Sequence, residues 1–197
     1  MEGELDAMVG GMAAPLARTH EEAHLYMELH PCPACGEPEF DAASAVRETD
    51  AGWLVRYAGV CVQCGRARAF EFRQPDEMRP PAEGAWASGA EPSELLDAGE
   101  WLFVADTYAS APAGADSGAS IVDLRSAAAA LDEVLKFLPD GAAALPDEAF
   151  WSARGRAVRA AEPGRFSRVR LLAARATYAR LLASAHDQGV PVVARTT

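Results

Sequence analysis

The alternation of apolar and polar positions changes period twice along the chain. "THEEAHLYMELHP" has helical spacing, with Thr19 placed to cap it, Glu22 to complete a capping box and Pro31 to stop it. From residue 32 to residue 73 the period falls to two. "EFDAASAVRET", "WLVRYAGVCV" and "RARAFEF" read as strands, and Asp50, Ala51 and Gly52 are the expected hairpin turn between the first two. In the third, Arg66, Arg68, Phe70 and Phe72 share one face, and Ala67, Ala69, Glu71 and Arg73 share the other.

Beyond a proline- and glycine-rich stretch the pattern is helical to the end. Ser93 is the expected cap of "SELLDAGEWLFVADTYAS". A helix over about 120–138 has Leu124, Ala128, Leu131, Leu135 and Leu138 as its expected buried stripe. Pro146 and Asp147 open "DEAFWSARGRAVRAA", and a last helix runs from about Phe166 to Asp187 with Leu171, Ala174, Tyr178, Leu181 and Ala185 on one side. The expected organisation is a flexible tail (1–16), a short helix (17–31), a β unit (32–75), a linker (76–92), a helical domain (93–188) and a second tail (189–197).

A length of 197 residues suffices for one ordinary domain or two small ones. No apolar run approaches the ~18 residues of a membrane span. The first residues have no basic region followed by an apolar one, so a cytoplasmic location is expected. Net charge is −11, unevenly spread: from Trp151 onward nine arginines face two acids, near +7, which leaves about −18 on residues 1–150. An acidic body of that size disfavours general nucleic-acid binding, which rests on cationic contacts to phosphate. The basic end is expected either to fold back on the acidic part or to hold an external anion.

All four cysteines lie in the β stretch, as two CxxCG units: Cys32 and Cys35, then Cys61 and Cys64. A CxxC turn brings two sulfurs to one ion from one tight loop, and four thiolates are the ligand set of a structural tetrahedral zinc. Gly36 and Gly65 suit the reversal after each pair. The spacer holds a strand, a turn and a strand of similar length, which returns Cys61 beside Cys32. The arrangement over residues 30–73 resembles the zinc-ribbon class, in which two such knuckles flank a β-hairpin and a third strand follows. The resemblance implies a structural metal ion on Cys32, Cys35, Cys61 and Cys64, and it implies no particular task. Iron shares this tetrahedral thiolate preference and stays open beside zinc. A redox pair would need one CxxC at a helix start, disulfides an oxidising compartment, and a catalytic zinc an open position.

Other chemistry-bearing residues form no motif. His20 and His24 share a helical face without the HExxH order, His30 could support the first knuckle as a hydrogen-bond donor, and His186 stands alone. There is no glycine-rich phosphate loop and no GxSxG. The arginines from Arg154 to Arg180 are the remaining feature, with Arg165, Arg168, Arg175 and Arg180 off the apolar stripe of the last helix. Phe70 and Phe72 beside Arg66 and Arg68 either present a nucleic-acid surface or attach the ribbon to a neighbouring helix.

The expected fold is therefore α+β: a four-cysteine zinc ribbon with a three-stranded antiparallel sheet, packed with a mainly helical C-terminal part of about four helices. The leading functional expectation is a non-enzymatic binding or adaptor protein with a protein partner. One form is an acidic, immunity-type protein that neutralises a basic partner. A nucleic-acid-associated regulator and an enzyme with an unrecognised site are the alternatives.

Overall fold

A computed structural model describes residues 14–50, 52–77, 80–81, 84–110 and 121–187, without the side chains of His186 and Asp187. Ala51, most of the first tail and residues 188–197 lie outside this set. The described residues form a three-stranded antiparallel sheet and five α-helices, an α+β fold. They divide into two compact units, Met1–Met78 and Arg79–Thr197.

The first unit contains α1 (His20–Leu29), β1 (Phe40–Thr49), β2 (Gly52–Cys61) and β3 (Ala67–Arg73). Thr19 caps α1 by accepting from the Glu22 N–H at 3.0 Å. The Glu22 carboxylate turns to Arg18, whose backbone N–H it accepts at 2.8 Å and whose guanidinium it pairs with at 2.5 Å. The capping pair is thus shared with the preceding residue, and it buries Glu22 completely. β1 and β2 pair without interruption from Phe40↔Cys61 to Thr49↔Gly52, and β3 adds antiparallel to β2, giving the order β1-β2-β3.

Tertiary packing of this unit is aromatic. Tyr26 of α1 meets Phe70 and Phe72 edge-on, with ring centroids 6.1 and 5.6 Å apart. Val55, Tyr57 and Phe72 are buried on the sheet face that α1 covers. Residues 14–16, expected as the end of a tail, and Ala17, expected at the helix start, lie along β3 instead: Arg73 N–H donates to Pro15 O and Ala17 N–H to Arg73 O, each at 2.9 Å. The free side of β3 is an unsatisfied backbone edge, and this segment satisfies part of it.

The second unit contains α2 (Ala98–Ala109), α3 (Ile121–Lys136), α4 (Ala153–Ala161) and α5 (Arg168–Asp187). Two boundaries and one buried stripe differ from expectation. Ser93 accepts from the N–H groups of Leu95 and Leu96 in a separate bend, and α2 is capped by Asp97 in a full capping box with Glu100. "DEAFWSARGRAVRAA" is broken into a 3-10 turn (Asp147–Ala149) and α4, because Ser152 provides a second cap by accepting from Gly155 N–H at 2.8 Å. In α3 the fully buried face is Ile121, Ala127, Ala130, Leu131 and Val134, whereas Leu124, Ala128, Leu135 and Leu138 are half-buried. Alanine permits close approach of helices, so the small residues take the tightest positions and the leucines its flanks. On α5 Leu171 is buried but Leu181 is 45% exposed.

Asp97 ties α2 to α4. One carboxylate oxygen accepts from the Gly99 and Glu100 N–H groups at 3.0 and 2.9 Å, and the other accepts from Ser152 N–H at 2.7 Å. Gly155 sits so close that a Cβ there would lie 1.9 Å from Asp97 Oδ1. Trp86, within the stretch expected as a linker, has its ring 5.7 Å from that of Trp101 and 6.0 Å from that of Tyr108.

Candidate metal centre

Each CxxCG unit closes by the same pair of backbone hydrogen bonds. Gly36 N–H donates to Cys32 O and Cys32 N–H to Glu37 O, both at 2.8 Å; Gly65 N–H donates to Cys61 O and Cys61 N–H to Arg66 O, both at 2.9 Å. Gly36 and Gly65 have φ of 79° and 70°, the left-handed conformation that this reversal requires. The two knuckles sit side by side because β1 and β2 run ten residues out and ten back. Cys32 and Cys61 are buried, while Cys35 and Cys64 reach the surface.

The four sulfurs lie within 4.8 Å of one another. The nearest pairs cross between the knuckles, Cys32 with Cys64 at 3.6 Å and Cys35 with Cys61 at 3.5 Å. Four sulfurs around one ion at about 2.3 Å stand about 3.8 Å apart, so the group fits a tetrahedral metal ion. Among the described residues no other group of histidines, cysteines and carboxylates meets this way.

The thiols share their protons unequally. Cys32 is drawn down to about 6, chiefly by the backbone N–H of Ala34, with the N–H of Cys35 and the neighbouring thiols assisting. Cys61 is drawn down mainly by the Cys64 N–H. At Cys35 the Glu37 N–H pulls downward, but burial and the sulfurs of Cys61, Cys64 and Cys32 together outweigh it and push the thiol up to about 12. A divalent cation replaces those shared protons with two positive charges at one point, so metal uptake releases protons.

The site is braced by a residue whose role is not apparent from sequence. Arg68 of β3 turns inward and is 7% exposed. Its guanidinium donates to His30 O at 2.7 Å and Met27 O at 3.3 Å at the end of α1, and to Pro38 O at 2.8 Å and Glu37 O at 3.4 Å beyond the first knuckle. It lies 4.4 Å from the Phe40 ring centroid and 5.4 Å from that of Phe70. The aromatic-basic face of β3 is therefore the attachment of the ribbon to α1. The only sequence signal was the alternation that puts Arg68 on the same face as Phe70 and Phe72.

The histidines serve packing. His30 Nδ1 bonds Tyr26 O at 2.8 Å, not a cysteine, and its ring stacks on Tyr26. His20 Nδ1 lies 2.9 Å from the Tyr57 hydroxyl, and His24 stands edge-on to the same ring. Burial first, then His20, hold the His24 imidazole below its usual value. The His186 side chain lies outside the described set.

Most arginines of the helical unit have internal partners. Arg165 makes a two-pronged pair with Asp106 at 2.7 Å, and Arg168 donates to Ala142 O and Pro139 O, each at 2.6 Å. Arg175 Nε lies 2.7 Å from Asp132 Oδ1, a charge contact too poorly aligned for a hydrogen bond. Arg180 donates to Thr177 Oγ1 on its own helix at 3.1 Å. No helix among the described residues is long and apolar enough to cross a membrane.

Fold and site together place four cysteines where they could hold one metal ion, consistent with a zinc-ribbon-like motif. Compared with protein-family models, curated proteins and solved structures, the chain matches none.

Proposed function

We propose that this chain is a non-enzymatic cytoplasmic adaptor whose Cys32, Cys35, Cys61 and Cys64 hold one structural zinc ion. The observation that carries the reading is the closed set of four converging sulfurs. Four protein ligands satisfy a tetrahedral ion and leave no position for substrate. Zinc bound there supplies folding energy to a unit of modest core, and in doing so it fixes the sheet as a rigid recognition surface. One further feature supports the non-enzymatic part of this reading. A cavity of about 340 Å³ on the helical unit has Asp132, Glu133 and Lys136 in its lining, but Glu133 pairs with Lys136 at 2.8 Å and Asp132 contacts Arg175. Its lining contains no histidine, cysteine or hydroxyl side chain to act with them.

The partner we infer is a basic protein, in the manner of a neutralising, immunity-type complex. About −18 on residues 1–150 would steer association with a cationic face. Nucleic acid is the weaker reading, because Arg68, Arg165 and Arg168 are engaged internally.

The test has two arms. Elemental analysis of anaerobically purified protein should find one zinc per chain, lost in Cys64→Ser; protein without zinc contradicts the metal assignment. Partners captured from the native cytoplasm should be basic, and the double variant Asp140→Lys with Glu148→Lys should slow their association several-fold at low salt, since both carboxylates are exposed. Salt-independent capture of acidic partners would refute the charge-steered reading.

A further inference from the structure

Among the described residues β1 is a long edge strand blunted by charge alone, at Asp41, Arg47 and Glu48, and it pairs only with β2. Asp41–Glu48 are exposed on both faces. It contains no proline and no bulge, since its register with β2 is continuous over ten pairs. Natural edges of this length are ordinarily blunted or covered.

The free hydrogen-bonding groups can be assigned. Trp53 O accepts from Gln74 N–H, and Cys61 N–H donates to Arg66 O, so odd residues of β2 direct their backbone groups to β3. Even residues of β2 then face β1, where their partners are odd: Val60↔Asp41, Ala58↔Ala43, Arg56↔Ala45 and Leu54↔Arg47. The backbone groups of Phe40, Ala42, Ser44, Val46 and Glu48 consequently point away from the sheet.

We propose that this edge pairs antiparallel with β1 of a second copy, on a two-fold axis at Ser44. Outward residues must oppose outward residues, which removes the full-overlap register, where Asp41 would also face Glu48. Two registers keep nine residues of the strand. One is centred on Ala45 and pairs no opposite charges. The other is centred on Ser44 and sets Asp41 opposite Arg47, twice by symmetry. Ala42 then faces Val46, Ala43 faces Ala45, and Ser44 meets its own mate. The five outward pairs form about ten backbone hydrogen bonds at two per pair. The Asp41–Arg47 pairs fall at the positions between them, where side chains approach closest. Arg47 is available: its one ion contact, to Glu71, is 3.9 Å long, and its side chain is 63% exposed. The product is a six-stranded sheet with a metal knuckle near each end of the junction.

Sedimentation velocity of the zinc-loaded full chain, from about 5 to 200 µM, tests this. The 20.8 kDa chain should pass to twice that mass as concentration rises. Ser44→Pro removes an N–H that β2 does not use, and should weaken the dimer at least about tenfold with zinc content unchanged. Asp41→Arg and Arg47→Asp should each weaken it, and the two together should restore it. A chain monomeric throughout, a dimer indifferent to Ser44→Pro, or a double charge swap no better than its single components each overturns the proposal. Edge pairing only with a different protein's strand also overturns it.

Discussion

Replacing Arg68 by alanine removes one buried guanidinium and with it four donor contacts to backbone carbonyls. Two of them, to His30 O at 2.7 Å and Pro38 O at 2.8 Å, are of full strength; those to Met27 O at 3.3 Å and Glu37 O at 3.4 Å are long. A hydrogen bond from a charged donor contributes about 1.5–3 kcal/mol, and a buried carbonyl left unpaired costs about 1–3 kcal/mol. The arginine was itself desolvated, which offsets part of this. Counting the two short bonds fully and the long ones little, the loss is about 3–5 kcal/mol. In a unit of this size each kcal/mol moves the melting point by about 4–8 °C, so the ribbon transition should fall by at least about 12 °C. Because the same carbonyls fix the chain on both sides of Cys32, zinc transfer to a chromogenic chelator should also accelerate. Arg68→Lys retains the charge without the planar fork and should recover less than half of the loss. The assay is thermal unfolding followed at the ribbon tyrosines alongside chelator competition. An Arg68→Ala protein melting within about 2 °C of wild type, with unchanged zinc release, would refute the bracing role.

Gly155→Ala should destabilise the helical unit by about 2–4 kcal/mol, since the added methyl would have to displace Asp97 from its three N–H donors; denaturant melts check this, and an unchanged midpoint would refute it. His24 is held below its usual value of 6.5 by burial and by His20, so the folded state disfavours its protonation. Its contribution is present above pH 6.5 and is lost as pH falls below that, so wild type should lose stability between pH 7 and pH 5 more steeply than His24→Gln. Parallel pH profiles for the two proteins would count against this assignment.

What sequence revealed, and what it hid, follows from the range of the interactions involved. The knuckles are legible because CxxCG closes on itself through local hydrogen bonds and needs glycine at φ near 70–80°. The hairpin is legible because its arms are of equal length. At the start of α2, by contrast, two cap signals stand four residues apart. "DAGE" is a capping box as it stands, and it outcompetes Ser93 because Asp97 also binds Ser152 N–H far along the chain. In α3 the leucines marked one flank of the buried face: Leu131 lies on it, whereas Leu124 and Leu135 are half-buried, since the depth of a stripe is set by how closely neighbours approach. Arg68 was hidden for the same reason. Its face was readable, but four carbonyl acceptors from two separate segments become visible only once those segments are placed.

The arginines carry the last step. Read as a list, Arg154 to Arg180 are a cationic patch; in the fold, Asp106, Asp132, Asp147 and Glu100 each stand within 4.0 Å of one of them. The exposed pairs among them, to Asp106, Asp132 and Asp147, contribute little stability. Their consequence is electrostatic: the basic end folds back on four carboxylates of residues 1–150, within its own unit. A net charge of −11 opposes the association of two copies of the chain. A second copy can dock only where that repulsion is locally reversed. β1 meets the condition, because Asp41 and Arg47 stand six residues apart, symmetrically about Ser44.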